Sequence, residues 1–318
     1  MDLKKECQGA KRIGISGHVR PDGDCVGACL ALNRYLQKCV PEAQIRVLLE
    51  EPAKIFSEIR GFDEIDSVFS EEESFDVFFA LDTVPERMGD AFCYYRSAKK
   101  KINIDHHISN PGGGDINYIM PQTGSTSELI YDLMDKTLLD KDIAMSIYIG
   151  MIHDTGVFQY SNTTPDTLRK AADLISYGFD FPRLIEETFY QKTYVQTHIM
   201  GRALMESIRF MEGRCIVSAI DRKTMDFYNA TPKDFEGIVN QLRNIKGIEC
   251  AIFMYETDTL EYKVSLRTNT KVDASRVAAY FGGGGHVRAA GCTMKGTFHD
   301  CVNNLSLHIE KQLLEAEE

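Results

Sequence analysis

Histidines and aspartates gather in four short stretches of this chain: Gly17-His18-Val19-Arg20-Pro21-Asp22-Gly23-Asp24, Leu81-Asp82-Thr83, Asp105-His106-His107 and His153-Asp154-Thr155-Gly156. Each stands at or beside the end of an apolar run. Carboxylates and imidazoles that converge in a fold point to a divalent-metal centre, and hard oxygen donors with imidazole suit manganese, magnesium or iron better than a thiolate zinc site. In the first stretch, Pro21 and Gly23 predict a turn that folds His18, Asp22 and Asp24 into one small region. The same residues also fit a polar turn that caps a helix beginning near Asp24.

Asp82 ends the run Val77-Phe78-Phe79-Ala80-Leu81. A carboxylate there is costly without a partner; a metal ion is one partner, and backbone amides with Thr83 are another. In Asp105-His106-His107 one histidine suits a metal and the other suits substrate. Asp105 is placed to accept the free ring N–H and fix the tautomer. Asp154 ends an apolar helix, where the helix dipole disfavours a carboxylate. A turn from Gly156 is the plainer alternative. His153 reads as structural, because a His-Asp phosphohydrolase needs an all-helical context.

A fifth stretch, Gly282-Gly283-Gly284-Gly285-His286-Val287-Arg288-Ala289-Ala290-Gly291, fits neither Gly-x-Gly-x-x-Gly nor a Walker loop. Its glycines let backbone N–H groups approach an anion. His286, Arg288 and Arg267 could add contacts to phosphate. A flexible turn before Gly291 is the competing reading.

The elements that must hold these groups alternate in the first half. Strands are expected at 12–16, 45–49, 75–81 and 102–104, and helices at 24–39, 124–137, 140–151 and 165–177. Two of the strands are continuously apolar, as buried parallel strands tend to be. The expected fold class is α/β: a mostly parallel N-terminal sheet flanked by helices, with ligands outside the carboxyl ends of its strands. One helix is expected over 185–205 as a linker. Beyond it, strands at 215–220, 249–255 and 261–266 and helices at 234–243, 273–281 and 300–315 predict a smaller α/β domain. The expected division is 1–185, a helical linker 186–205, and 206–318.

The chain of 318 residues can bury two cores. Its 36 lysines and arginines against 47 aspartates and glutamates give a net charge of −11. That balance argues against tight non-specific binding to long duplex nucleic acid or membrane. A small anionic substrate needs only a local cluster of arginines. Glu71-Glu72-Glu73 and the end Glu315-Ala316-Glu317-Glu318 read as solvated surface. Nine cysteines without a Cys-x-x-Cys pair suit reduced thiols in the cytoplasm, and Cys25 and Cys29 suit packing on one helix face. The start lacks the apolar run of a signal peptide, and no stretch is long enough to span a bilayer.

The set His18-Asp22-Asp24, Asp82, Asp105-His106-His107 and Asp154-Thr155-Gly156 resembles the four motifs of the DHH phosphoesterase superfamily. The glycine stretch from Gly282 to Gly291 resembles the signature of its associated C-terminal domain. The resemblance covers nearly the whole chain and is nearest to stand-alone bacterial nanoRNases that also act as pAp phosphatases. It implies two divalent metal ions, manganese foremost. His18, Asp22 and Asp82 would hold one ion; Asp24, Asp82, His106 and Asp154 would hold the other, with Asp82 bridging. Asp105 would orient a histidine, and His107 would contact the scissile phosphate or protonate the leaving oxygen. Arg267, Gly283, Gly284, Gly285, His286 and Arg288 would bind the substrate's terminal phosphate or nucleotide. Arg20, Arg87, Asn110, Ser125 and Thr126 lie beside motifs and are further substrate-binding candidates.

The activity so implied is hydrolysis of short RNA oligonucleotides such as pApA to 5′-mononucleotides, and of pAp to AMP. The C-terminal domain would close over the cleft along the linker. A phosphodiesterase for c-di-AMP or linear dinucleotides would use the same metals. An inorganic pyrophosphatase would need a basic segment that the C-terminal half lacks, and a non-catalytic nucleotide sensor would not need a full ligand set. A homodimer through apolar helices of the first domain is left open.

Overall fold

Val77-Phe78-Phe79-Ala80-Leu81 is wholly buried and forms the central strand of the first sheet in a computed structural model that describes residues 1–69 and 74–316. Its residues alternate between two cores, as the period of a strand requires. Val77, Phe79 and Leu81 enter one with Ile13, Ile15, Leu30, Ile130 and Ile147. Phe78 and Ala80 enter the other with Leu48, Phe75, Tyr94 and Tyr95. A strand buried on both faces has to be apolar throughout, and this one is.

The chain divides into two compact units, Met1–Gln191 and Lys192–Glu318. In the first, α1 (Leu3–Glu6) and β1 (Arg12–Ser16) precede the long helix α2 (Gly23–Cys39). Then come β2 (Gln44–Val47), β3 (Val77–Leu81), α3 (Phe92–Ser97), β4 (Lys100–Asp105) and β5 (Ile116–Ile119). Helices α4 (Thr126–Leu133), α5 (Lys141–Asp154), α6 (Pro165–Ile175) and α7 (Phe181–Ile185) complete it. The sheet order is β2-β1-β3-β4-β5 and every pairing is parallel. Helices α2, α4 and α5 supply the larger core on one face. Each is capped by a short polar side chain that accepts from its first turn: Asp22 for α2, Ser125 for α4, Asp140 for α5.

The second unit holds α8 (Tyr194–Met205), β6 (Ile208–Phe210), β7 (Cys215–Ile220), α9 (Arg222–Tyr228), α10 (Ile238–Arg243) and β8 (Cys250–Asp258). It continues with β9 (Glu261–Thr268), α11 (Ala274–Tyr280), β10 (Gly284–His286), β11 (Ala289–Lys295) and α12 (Phe298–Glu315). Its sheet runs β10-β11-β9-β8-β7-β6, with β7 and β8 parallel and the other neighbours antiparallel.

Three local expectations change. The single helix over 185–205 is divided: a π-helical turn over Glu186–Tyr190 ends at extended Gln191, and Thr193 caps α8 afresh. The Thr193 hydroxyl accepts from Gln196 N while the Gln196 side chain accepts from Thr193 N, a reciprocal cap that fixes a helix start. The helix over 124–137 stops at Leu133, with a 3-10 turn at Lys136–Leu138. The glycine stretch is a β-hairpin edge, β10 with β11, rather than a free turn. Glu71–Glu73 and Glu317–Glu318 lie outside the described residues, whereas Glu315 and Ala316 are exposed. Among the described residues no helix is long and apolar enough to cross a membrane.

Candidate metal centre

Strands β1, β3 and β4 lie side by side and run parallel, so their carboxyl ends open on one edge of the sheet. His18 follows β1 by two residues, Asp82 follows β3 directly, and Asp105 is the last residue of β4. Asp22 and Asp24 sit at the start of α2, and Asp154 is the last residue of α5. The four sequence motifs therefore meet at one place, where ligands of open α/β sheets bind.

The two innermost histidines are oriented alike. His18 Nδ1 lies 2.9 Å from Val19 O, and His106 Nδ1 lies 3.2 Å from Thr123 O. Donation from Nδ1 fixes the tautomer and leaves a lone pair on Nε2. His18 Nε2 stands 3.7 Å from Asp22 Oδ1 and 3.6 Å from Asp82 Oδ2. His106 Nε2 stands 3.7 Å from Asp82 Oδ1 and 2.8 Å from Asp154 Oδ2. The Asp154 approach is close but not aligned as a hydrogen bond, so this buried nitrogen has no hydrogen-bond partner. Asp82 thus offers one carboxylate oxygen to each histidine.

Three sets of ligand atoms each fit within 4.8 Å: His18-Asp22-Asp82, Asp24-His106-Asp154, and Asp82-Asp105-His106-His107. Their electrostatics describe a site short of positive charge. Burial, with Asp82 and Asp154 nearby, pushes the Asp24 carboxyl well above its ordinary range. Burial likewise raises Asp82 to about 6, against the pull of His18. Burial opposes charge on both imidazoles, yet Asp22 and Asp82 raise His18 to about 12, and Asp154 raises His106 to about 10. Divalent cations would reverse both tendencies, favouring carboxylates and neutral imidazoles. The donor set, the orphaned His106 Nε2 and this charge deficit all fit metal ions.

Backbone and helix ends hold the carboxylates. Thr126 N donates to Asp24 Oδ2 at 2.6 Å and Ser127 N to Asp24 Oδ1 at 2.8 Å. These are free N–H groups in the first turn of α4, whose dipole favours an anion there. The Thr126 hydroxyl donates to Asp82 Oδ1 at 3.0 Å. Asp82 itself has a φ of 57°, a left-handed backbone that is costly for a non-glycine residue and that the surrounding structure must hold. Its N–H donates to Ile104 O of the neighbouring strand at 3.0 Å.

His107 is placed differently. Its Nδ1 donates to Asp105 Oδ1 at 2.7 Å, and its side chain is 47% exposed, so Nε2 is free to meet solvent or substrate. Asp105 is fully buried, and its other oxygen accepts from Asn110 Nδ2 at 2.5 Å. Asn103 supports this arrangement by donating to Ala80 O and Thr83 O and accepting from Asn110.

Asn110 and Ser125 are committed to contacts within the protein. Both are buried; Asn110 bonds Thr83, Asn103 and Asp105, and Ser125 caps α4 by accepting from Glu128 N. Arg20 and Arg87 are exposed, and their loops touch through Val19 N and Arg87 O at 2.9 Å. His153 packs edge-on between Phe56 and Phe189, with Nε2 3.2 Å from the Thr188 hydroxyl, a structural setting. Arg267, the Gly283–Gly285 segment, His286 and Arg288 belong to the second unit, on or beside β9, β10 and β11. The four motifs omit Asn103, Thr123 and Ser127, which bond to groups of the centre, and Gly150, where a Cβ would lie 2.6 Å from Asp24 Oδ1. Asn103 alone left a signal, an amide inside the apolar run Ile102–Ile104.

Residues 12–151 match the DHH family, N-terminal domain, and residues 212–314 match the DHHA1 domain. The chain is 30% identical over 292 residues to a Thermus thermophilus protein named bifunctional oligoribonuclease and PAP phosphatase NrnA, covering 89% of this chain and 84% of that one. It is also 30% identical over 289 residues to the Bacillus subtilis protein of the same name, covering 89% of each. The crystal structure of an exopolyphosphatase-related protein from Bacteroides fragilis superposes with a TM-score of 0.89 at 27% identity, covering 99% of this chain and 96% of that one. With the four motifs meeting at one sheet edge and both domains matched, the chain belongs to the DHH phosphoesterase family.

Proposed function

We propose that this protein hydrolyses very short RNA oligonucleotides such as pApA to 5′-mononucleotides, and pAp to AMP, at the centre built around Asp82. The names of its relatives in T. thermophilus and B. subtilis support the substrate class. The observation that carries the chemistry is Asp82, with Oδ2 3.6 Å from His18 Nε2 and Oδ1 3.7 Å from His106 Nε2. A carboxylate shared in this way suits two ions side by side. His18, Asp22 and Asp82 would hold one; Asp24, His106, Asp154 and Asp82 would hold the other. The oxygen-rich donor set favours manganese.

When bound, two such ions provide a nucleophile from water near neutral pH and neutralise charge on a phosphoryl group. The chain supplies the rest. His107, oriented by Asp105, presents Nε2 where it can donate a proton to the leaving oxygen or a hydrogen bond to the phosphate. Asn110 and Ser125 act as positioning residues, the first on Asp105 and the second at the start of α4. Arg20 and Arg87 remain surface candidates for the substrate's backbone. Arg267, His286, Arg288 and the Gly283–Gly285 backbone would bind the nucleotide's terminal phosphate, in a second domain taken to begin beyond a linker at 186–205. The separation of roles explains how an acidic chain handles nucleotides: it needs a small cationic patch, not a basic surface.

The test is manganese-supplemented turnover on pApA, a five-residue RNA, pAp, c-di-AMP and pyrophosphate, with Asp82→Ala as control. Mononucleotide release from the short RNAs and AMP from pAp, both lost in the control, is the expected result. Silence on RNA and pAp with brisk cleavage of c-di-AMP or pyrophosphate would overturn the substrate assignment.

A further inference from the structure

Asp154 ends α5, and the chain then turns back on itself. Gly156, Val157 and Phe158 follow one another in the left-handed region, with φ of 56°, 55° and 65°. That backbone is open to glycine but costly for a β-branched residue such as Val157. Val157 N holds it by donating to Ile152 O at 2.7 Å, as do Gln159 N and Tyr160 N by donating to Thr155 O, each at 2.9 Å. The reversal brings Asn162 back against the helix end that the chain has just left.

Asn162 Nδ2 donates to Asp154 O at 3.2 Å and to Gly124 O at 2.9 Å. The first acceptor is one of the carbonyls that the C-terminus of a helix leaves without an intrahelical partner. The second belongs to the loop that leads into α4. Asn162 Oδ1 is buried with no hydrogen-bond partner among the described residues, so the amide is held through its nitrogen. Turned the other way, the amide would set its oxygen against two carbonyls.

The loop that Asn162 grips serves the other ligands. Thr123 O lies 3.2 Å from His106 Nδ1, and Thr126 N and Ser127 N donate to Asp24 at 2.6 Å and 2.8 Å. On its far side Gly124 N donates to Glu128 Oε2 at 3.2 Å. That carboxylate is itself fixed to α6 by the Thr167 hydroxyl at 3.0 Å and by Lys170 Nζ at 2.9 Å. Asp24, His106 and Asp154 are one of the groups whose ligand atoms fit within 4.8 Å. The loop places the first two, the end of α5 places the third, and one amide joins loop to helix.

We propose that Asn162 is a positioning residue of the metal centre: by tying Asp154 O to Gly124 O it sets the spacing of Asp24, His106 and Asp154 as ligands of one ion. The inference rests on the reading of these three residues as a ligand set, and it is independent of which phosphoester the protein cleaves.

The experiment is calorimetric titration of manganese into the chelator-stripped full chain. Two binding events are expected, and Asp154→Ala identifies the one that belongs to this ligand set by abolishing it. Asn162→Ala should weaken that event by about tenfold to a hundredfold, the usual cost of losing a group that orients metal ligands. The other event should stay within about twofold. Asn162→Ser keeps a polar turn residue without the reach of the amide. It should show the same selective loss, and it decides the matter if Asn162→Ala does not fold. Asp140→Ala removes the cap at the opposite end of α5, so it should lower the melting temperature and leave both events within about twofold. Equal weakening of both events by the Asn162 variants, no weakening, or the same selective loss in Asp140→Ala would overturn the positioning role. If the unaltered protein takes up no manganese, the metal reading itself fails and the positioning role falls with it.

Discussion

Asp105 gathers four hydrogen bonds while fully buried: Oδ1 accepts from His106 N, His107 N and His107 Nδ1, and Oδ2 accepts from Asn110. Burial works against its charge, but His107 and Asn110 outweigh it and hold the carboxyl below the ordinary range. The same contact raises His107, against burial. Asp105 therefore fixes both the orientation and the basicity of an imidazole that reaches the surface. Replacing it by asparagine keeps the shape and removes the charge. In the metal-free protein, the Asp105→Asn change should move the His107 ring titration, followed by NMR, to lower pH. Turnover on pApA should fall by about tenfold to a hundredfold, the usual effect of removing a partner that orients a functional histidine. A His107 titration that stays put would show that Asp105 does not set its state.

Helices α2 and α5 press together so closely that their glycines are structural parts. A Cβ on Gly27 of α2 would lie 2.5 Å from Ser146 O and 3.0 Å from Gly150 N of α5. One on Gly150 would lie 2.6 Å from Asp24 Oδ1 and 1.9 Å from the Ser127 hydroxyl. In a helix interior, alanine is better than glycine by about 1 kcal/mol. Overpacking typically costs about 1–3 kcal/mol, and here the obstacle is backbone, which cannot rotate away. The cost should win, so Gly27→Ala should lower the melting temperature by several degrees. Gly201→Ala, in α8 with open space around it, should leave the melting temperature unchanged or raise it slightly. Thermal unfolding of the two variants side by side checks the pair, and a stabilised Gly27→Ala would refute the close approach. This distinction was not legible in the sequence, where both glycines simply interrupt helical runs. The strand ends were legible, because Asp82 and Asp105 close apolar runs where a carboxylate needs a reason. The support from Thr126 and Ser127 was not, because it depends on α4 meeting Asp24 across a hundred residues of chain. Strand β5, with its half-buried Ile116–Ile119, and the hairpin of β10 with β11 gave weak periodic signals for a similar reason. Their pairing comes from the neighbouring strand rather than from their own side chains. The break at Gln191 was hidden because no glycine or proline stands between residues 183 and 200 to mark it.

At the scale of the whole molecule the candidate metal centre links stability to pH, with a sign that the metal-free chain already fixes. Folding in the metal-free state raises His18 to about 12 and His106 to about 10, each above the ordinary histidine value near 6.5. Their contribution to stability is complete below about pH 6.5 and is lost as pH rises toward the folded values. Asp82, raised to about 6, acts in the same direction, because above that pH its buried charge is a cost that the unfolded chain does not carry. The folded metal-free chain thus binds more protons than the unfolded chain, and its stability should decline between pH 6.5 and 9. Metal ligands must be deprotonated imidazole and carboxylate, so stabilisation by added ions should grow over that same interval. Thermal unfolding in excess chelator should therefore give a melting temperature that falls across the interval. In excess manganese the curve should flatten or rise, and the gap between the two should widen with pH. Parallel curves, equally spaced at every pH, would mean that these histidines and aspartates do not hold the ions. A gap that widens with pH is the outcome expected of buried carboxylates that await cations. The strained Asp82 backbone and the misaligned His106–Asp154 contact already point the same way.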